Sequence, residues 1–499
     1  MKLNDYNDYR DYSVKIYDVS MAMSVLSWDQ ETMMPKNGNK FRAQQLSTLA
    51  KIRFELFTDE KYGELLDNLS NDSSLNSDQK RNLTLSRKAY LKQKKYSSEF
   101  IVRESKLISK AFKDWRLAKD ANDFKIFRNS LENLVDLRKE ECELLGYKNH
   151  PYDALLDAYE PNLTTKDVDL IFDDVKNQLV PFINKITTNN HIDDSFFYQH
   201  FDHKKQWDFG IDLLKQMGYD FDSGRQDISA HPFSSHFSPE DARVTTRIDE
   251  KNLSEMIWSC IHEGGHALYE QGILTENYGT PLGNAISLGI HESQSRLWEN
   301  HVGRSLSYWK KNFPLLKSYF PEQLGNVNYE LFYQACNNVK PSLIRTNADE
   351  LTYHLHVLIR YEIEKGLIEG NINVEELPFV WNNLYKKYLN IDVPSDSLGV
   401  LQDIHWSHGS LGYFPTYTLG SFYAAQFYNK VSNEVSNINS KIENGDTKEL
   451  LEWLRQNIHK HGERYDAKDL CKIVTGEELN FKYFMDYAKN KYSKIYNLD

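Results

Sequence analysis

Residues 350–370 read ELTYHLHVLIRYEIEKGLIEG. Apolar side chains recur there at spacings of three and four, the period of a helix with one face turned inward. The pattern stops at Gly370, a residue suited to closing a helix. The same spacing runs through FRAQQLSTLAKIRFELF (41–57) and TKDVDLIFDDVKNQLVPFINKI (165–186). It also runs through LENLVDLRKEECELLGY (131–147), where Leu131, Leu134, Leu137, Leu144 and Leu145 share one side. The last quarter, from GSFYAAQFYNKVSNEV onward, is of the same type. Only 23 Gly and 13 Pro occur among 499 residues, which leaves few positions for tight turns. The best strand candidate is ARVTTRI (242–248), β-branched and alternating. No repeat, Pro-rich linker or clean domain boundary interrupts the chain. The expected fold is all-α: one large helical body over 1–499, with room for two lobes around a groove and a small β element near 225–250.

Lys and Arg number 60 against 72 Asp and Glu, a net charge of -12. This balance argues against nucleic acid and anionic membrane as partners, since both need a basic face. No run of about 18 apolar residues occurs, so no membrane span is expected. Residues 1–18, MKLNDYNDYRDYSVKIYD, are polar throughout and lack the apolar core of a secretory leader. Cys142, Cys260, Cys336 and Cys471 are scattered without C-x-x-C spacing. That excludes a thiolate zinc site and fits a reducing compartment, the cytoplasm.

Chemistry concentrates in IHEGGHALYE (261–270). His262 and His266, four apart, share one helix face and can bind one metal ion. Glu263 lies beside the first ligand, where a base for a metal-activated water belongs. Two solvated histidines on an ordinary helix are the simplest alternative. Gly264 and Gly265 each cost about 1 kcal/mol of helix stability relative to Ala. Such a pair implies close approach of a substrate strand or a packed neighbour. A catalytic zinc takes three protein ligands and keeps one position open. LGIHESQSRLWENHVGR (288–304) offers Glu292 and Glu299 as the third, and no further histidine follows at metzincin spacing.

Read together, HEGGHALYEQG and HESQSRLWEN resemble the carboxypeptidase Taq family of metallocarboxypeptidases. HPF (231–233), DARVT (241–245), IRTNAD (344–349) and GVLQDIHW (399–406) match the family's pattern in order, as do WDQETMMP (28–35) and YDALLDAYEP (152–161). The resemblance spans essentially the whole chain. It implies an almost entirely helical fold, a deep groove holding the metal, a homodimer, and stepwise removal of C-terminal residues from peptides with a free C-terminus. It makes Glu292 the third ligand and Glu263 the catalytic carboxylate. Zn²⁺, or Co²⁺, would be the cofactor, one ion per chain.

Amide hydrolysis also needs a donor for the developing oxyanion. His405, His408, Tyr413 and Tyr417 cluster in a segment whose glycines (Gly399, Gly409, Gly412, Gly420) suit a loop, with His405 and Tyr417 the leading candidates. A terminal carboxylate is best held by an arginine fork. Arg243, Arg247, Arg296 and Arg345 are candidates, with Arg345 and Arg243 inside matched motifs. Their alternative role is an internal ion pair, Arg243 with Asp241 or Arg345 with Asp349. His231 and Asp241 are candidates for orienting ligands or meeting substrate, and Tyr413 for lining its site. The competing functions are a zinc oligopeptidase or dipeptidase, and a non-catalytic helical scaffold stabilised by zinc.

Overall fold

Helical periodicity is realised along most of the chain in the computed structural model, which describes residues 5–189 and 192–498. Residues 1–4, the start of the polar N-terminal stretch, lie outside the described residues. The helices that bear on the site are, in chain order, α1 (Tyr6–Thr32), α2 (Asn39–Thr58), α3 (Lys125–Leu145), α4 (His203–Met217), α5 (Leu253–Glu270), α6 (Leu288–Arg296), α7 (Tyr353–Glu369) and α8 (Pro415–Glu434). Among the described residues no helix is long and apolar enough to cross a membrane.

Contacts divide the chain into two compact units. The first comprises Met1–Lys94, Asp193–Cys336 and Ala424–Leu479; the second comprises Lys95–Ile192, Asn337–Tyr423 and Asn480–Asp499.

The first unit holds a small three-stranded sheet, β1 (Gln226–Ile228), β2 (Ser234–Ser238) and β3 (Asp241–Thr246), in the order β1-β3-β2. β1 runs parallel to β3, with Gln226 opposite Val244. β2 runs antiparallel to it, with Ser235 opposite Arg243 and an irregularity between His236 and Ser238. The β-branched ARVTTRI stretch thus forms the central strand, which ends at Thr246. Helix α5 begins where the Asn252 side chain accepts from Ser254 N–H, the usual service of an N-cap. Met256, Ile257, Cys260, Ile261, Leu268 and Tyr269 on α5 are buried. Their burial fixes which face of α5 is left for the histidines.

In the second unit, α7 departs from the one-faced helix its spacing suggests. Leu355, Val357, Leu358, Ile359 and Ile363 are buried, and so are His354, His356, Arg360 and Glu364. Buried polar groups of this kind need internal partners, and those partners form a second cluster of chemistry described below. Gly370 ends the helix at φ 80°, in the left-handed region expected of it. The 165–186 stretch is helical throughout, with a π-helical turn at Val175–Leu179.

The two glycines of α5 have different neighbours. A Cβ built on Gly265 would lie 2.7 Å from Ser295 Cα and 2.8 Å from Gln294 O, backbone atoms of α6. One on Gly264 would meet only the ends of flexible side chains, Leu214 Cδ2 at 2.7 Å and Met217 Cε at 2.9 Å. A packed neighbour therefore accounts for Gly265. Overpacking costs about 1–3 kcal/mol, whereas Gly→Ala gains about 1 kcal/mol of helix propensity. Gly265→Ala is expected to lower stability in urea unfolding and to weaken metal binding, because α6 must retreat. Gly264→Ala is expected to stay near wild type in both measurements.

Candidate active site

Helix α5 places the His262 and His266 rings 4.9 Å apart, centroid to centroid. Glu292 of α6 completes the set, with Oε2 3.5 Å from His262 Nε2 and 3.3 Å from His266 Nε2. The three candidate ligand atoms lie within 4.8 Å of one another. The far ring nitrogens are occupied. His262 Nδ1 lies 2.9 Å from Glu299 Oε2, and His266 Nδ1 lies 3.1 Å from the His291 carbonyl oxygen. Both acceptors call for N–H at Nδ1, which turns each Nε2 toward Glu292. Two imidazole nitrogens and one carboxylate oxygen converging this way fit a divalent transition metal.

The electrostatics agree with that fit. Burial opposes charge on His262, but Glu292 and Glu299 outweigh it and raise its pKa to about 10. Burial pushes His266 down. Burial would raise Glu292, yet the Arg296 guanidinium and His262 hold it well below the usual carboxylate range. The carboxylates therefore stay ionised and draw positive charge to the place between the rings.

Glu263 is 8 % exposed and follows His262 directly, outside the ligand set. Burial pushes its carboxyl up to about 7, against the opposing pull of His262. One turn beyond His266, Glu270 is also buried. Its Oε1 meets His291 Nε2 at 2.8 Å and His236 Nδ1 at 3.2 Å. Sequence reading passed over this His–Glu–His group, although the spacing of four through 262, 266 and 270 carries its signal.

The positions behind the ligands are filled by Glu299 and His291, not by His231 or Asp241. His231 is exposed just before β2, and its carbonyl accepts from Ser229 Oγ. Asp241 takes both arms of Arg243, at 2.7 and 2.8 Å. The Arg243 guanidinium stacks on Trp28 at 4.7 Å and on Phe237 at 4.9 Å. Trp28 from the WDQETMMP stretch thus covers the central strand. Arg247 pairs with Glu255, and Arg296 bonds Glu292 and Glu299.

The second unit gathers Arg345, His405, Tyr413 and Tyr417. Tyr417 Oη lies 3.5 Å from His405 Nε2, and the His405 and Tyr413 rings lie 5.2 Å apart. The Arg345 guanidinium lies 5.1 Å from the Tyr417 ring centre. Arg345 donates to Asp403 and Tyr353. Its carboxylate partner is thus Asp403, not Asp349, which caps the turn at Thr352 instead. Arg360 binds the same carboxylate at 2.7 Å. Two buried guanidinium groups therefore share one aspartate, and a positive charge is left over. Burial pushes the nearby His356 well down, leaving it neutral. His408 is exposed and lies beside Phe112, apart from this group. Gly399, Gly409 and Gly412 belong to the loop, but Tyr417 and Gly420 lie inside α8. Arg138 of α3 donates to the Gly409 carbonyl, and Glu364 of α7 accepts from Gly412 N–H and Trp406 Nε1. These bonds fix the loop that carries His405.

The family pattern described as Carboxypeptidase Taq (M32) metallopeptidase matches residues 8–492. The chain is 40 % identical to Carboxypeptidase 1 of Bacillus subtilis, covering 100 % of both chains. It is 38 % identical to Thermostable carboxypeptidase 1 of Thermus thermophilus, covering 95 % of each. Among solved structures, the M32 carboxypeptidase from Deinococcus radiodurans superposes with a TM-score of 0.97 at 35 % identity, covering 99 % of both chains.

Burial pushes His405 down to about 4, with Asp403 opposing and Arg345 and Arg360 adding to the shift. Its folded value lies below the unfolded value of about 6.5. The stabilising contribution of the neutral ring is therefore complete above about pH 6.5 and is lost as pH falls toward 4. Unfolding free energy measured against pH is expected to decline over this window in the wild type, by at most about 3 kcal/mol from this group. In His405→Gln the decline should be correspondingly shallower.

Proposed function

Because the chain belongs to the carboxypeptidase Taq (M32) metallopeptidase family, we propose that it removes single residues from the free C-terminus of peptides by metal-dependent hydrolysis. The carrying observation is the convergence of His262 Nε2, His266 Nε2 and Glu292 Oε2 within 4.8 Å, beside a buried Glu263 outside that set. His262, His266 and Glu292 would hold one Zn²⁺, with Co²⁺ compatible with the same donors. The metal would supply Lewis acidity toward water and the scissile carbonyl. Glu263 would take a proton from the attacking water at its carboxylate and return it to the leaving amine. Its burial keeps bulk water from competing for that proton.

The surplus positive charge around Asp403 supports Arg345 as the anchor for the substrate's terminal carboxylate. Arg243 is already neutralised by Asp241, which favours a role in holding the sheet. Tyr417 and His405 are the proposed donors to the developing oxyanion, with Tyr413 lining the same place. His231 is exposed before β2 and is assigned a contact with the peptide. Four buried thiols fit work in the cytoplasm.

Helix α2 supports a homodimer. None of its side chains is buried, and Phe41, Ile52 and Phe54 are exposed at 65 %, 40 % and 39 %. Phe41 and Ile52, 11 residues apart, share one side of the helix, and an exposed apolar face of this kind calls for a cover. Phe41→Glu together with Ile52→Glu is expected to yield monomers in sedimentation velocity, where the wild type sediments as a dimer. A monomeric wild type would end this part of the reading.

The catalytic assignment is tested with Glu263→Gln. The variant should bind Zn²⁺ as the wild type does while turnover falls by about 10²–10⁴-fold or more. Loss of Zn²⁺ binding along with activity would make Glu263 part of the metal set. Retained activity would remove it from the chemistry.

A further inference from the structure

Resting on the metal reading above, we propose that Arg296 and Glu299 form a positioning clamp that makes Glu292 a one-oxygen ligand and fixes the ring of His262. Glu292, Arg296 and Glu299 lie four and three residues apart, on one side of α6 and the π-helical turn Leu297–Gly303 that continues it. Arg296 Nε donates to Glu292 Oε1 at 2.7 Å, and its Nη1 donates to Glu299 Oε2 at 3.2 Å. Glu292 Oε1 is therefore occupied by a guanidinium, while Oε2 faces His262 and His266. Ser295 Oγ shares its one hydrogen between the Glu292 carbonyl at 2.7 Å and Oε2 at 3.0 Å. A carboxylate held like this offers a metal one oxygen, and a coordination position stays open for water or substrate.

Glu299 performs the matching service for His262. It accepts from Nδ1 at 2.9 Å through the same Oε2 that receives Arg296. Its other oxygen accepts from Arg304 Nη2 at 2.9 Å. Arg304 is itself fixed, donating to the Cys336 carbonyl and stacking 3.8 Å from the Trp258 ring centre. Glu299 is 6 % exposed and has little room to move. Both ligands on the Glu299 side are thus oriented through a single carboxylate oxygen, whereas His266 is held by the His291 carbonyl and by stacking on the His291 ring at 4.4 Å. Carboxylates in this position raise metal affinity by fixing ring tautomer and direction, and losing one costs about 10–100-fold.

The test uses the full-length protein, with Zn²⁺ affinity read by competition against a chromophoric chelator and coordination read from the visible spectrum of the Co²⁺-loaded form. Glu299→Gln should raise the Zn²⁺ Kd by about 10-fold or more, with the Co²⁺ bands shifted. Arg296→Met should release Glu292 Oε1 and weaken the Co²⁺ bands, as expected when an oxygen ligand is added. Arg296→Lys should fall between Arg296→Met and wild type. Circular dichroism of each apo-protein guards against misfolding, and Arg296→Lys supplies the reading if Arg296→Met does not fold. Wild-type Kd in Glu299→Gln together with a wild-type Co²⁺ spectrum in both Arg296 variants would overturn the clamp. Failure of the wild type itself to bind Zn²⁺ would instead overturn the metal reading on which the clamp rests.

Discussion

The absence of a side chain at Gly265 is the constraint on which the site depends. Helix α5 supplies two histidines by simple periodicity, but two ligands make a weak and poorly defined site. The third candidate comes from α6, and its carboxylate reaches the rings only because the α6 backbone passes where a Cβ on residue 265 would stand. A helix propensity cost of about 1 kcal/mol is accepted at that point. In return, Glu292, Arg296 and Glu299 are delivered to the histidines as one rigid face.

Charge is handled in contrasting ways in the two units. Around the candidate metal ligands, buried carboxylates outnumber what the histidines can neutralise, and Arg296 and Arg304 make up part of the difference. Around Asp403, two guanidinium groups outnumber the carboxylate between them. A buried charge without full compensation is expensive. One cluster is thus suited to a cation and the other to an anion. A metal ion and a peptide's terminal carboxylate are ligands of those two signs.

Much of this was legible in the sequence because it is local. The spacing of His262 and His266, the periodicity of α7, its stop at Gly370 and the β-branched run of β3 each depend on residues within a few turns or one strand. What sequence could not resolve is set by contacts between distant segments. Spacing offered both Glu292 and Glu299 for the third ligand, since seven residues bring both to one helix face; the family resemblance chose Glu292. Arg345 sits four residues from Asp349 but pairs with Asp403, a partner 58 residues away. Arg296 reads in isolation as a carboxylate fork, and its fork is already filled by Glu292 and Glu299. The glycine pair carried a real signal of close packing, but only the identity of the neighbour tells Gly265 from Gly264. Gly420 read as a loop residue, yet it lies in α8, because the Pro415 start of that helix outweighs a single glycine.

The proposed function joins metal-dependent hydrolysis to recognition of a peptide's terminal carboxylate. It is tested most directly by giving the Zn²⁺-loaded protein one peptide as free acid and as C-terminal amide, and following the products by mass spectrometry. Loss of single residues from the free acid, with the amide left intact, is the predicted result. Cleavage of both forms at the same internal bond would contradict it.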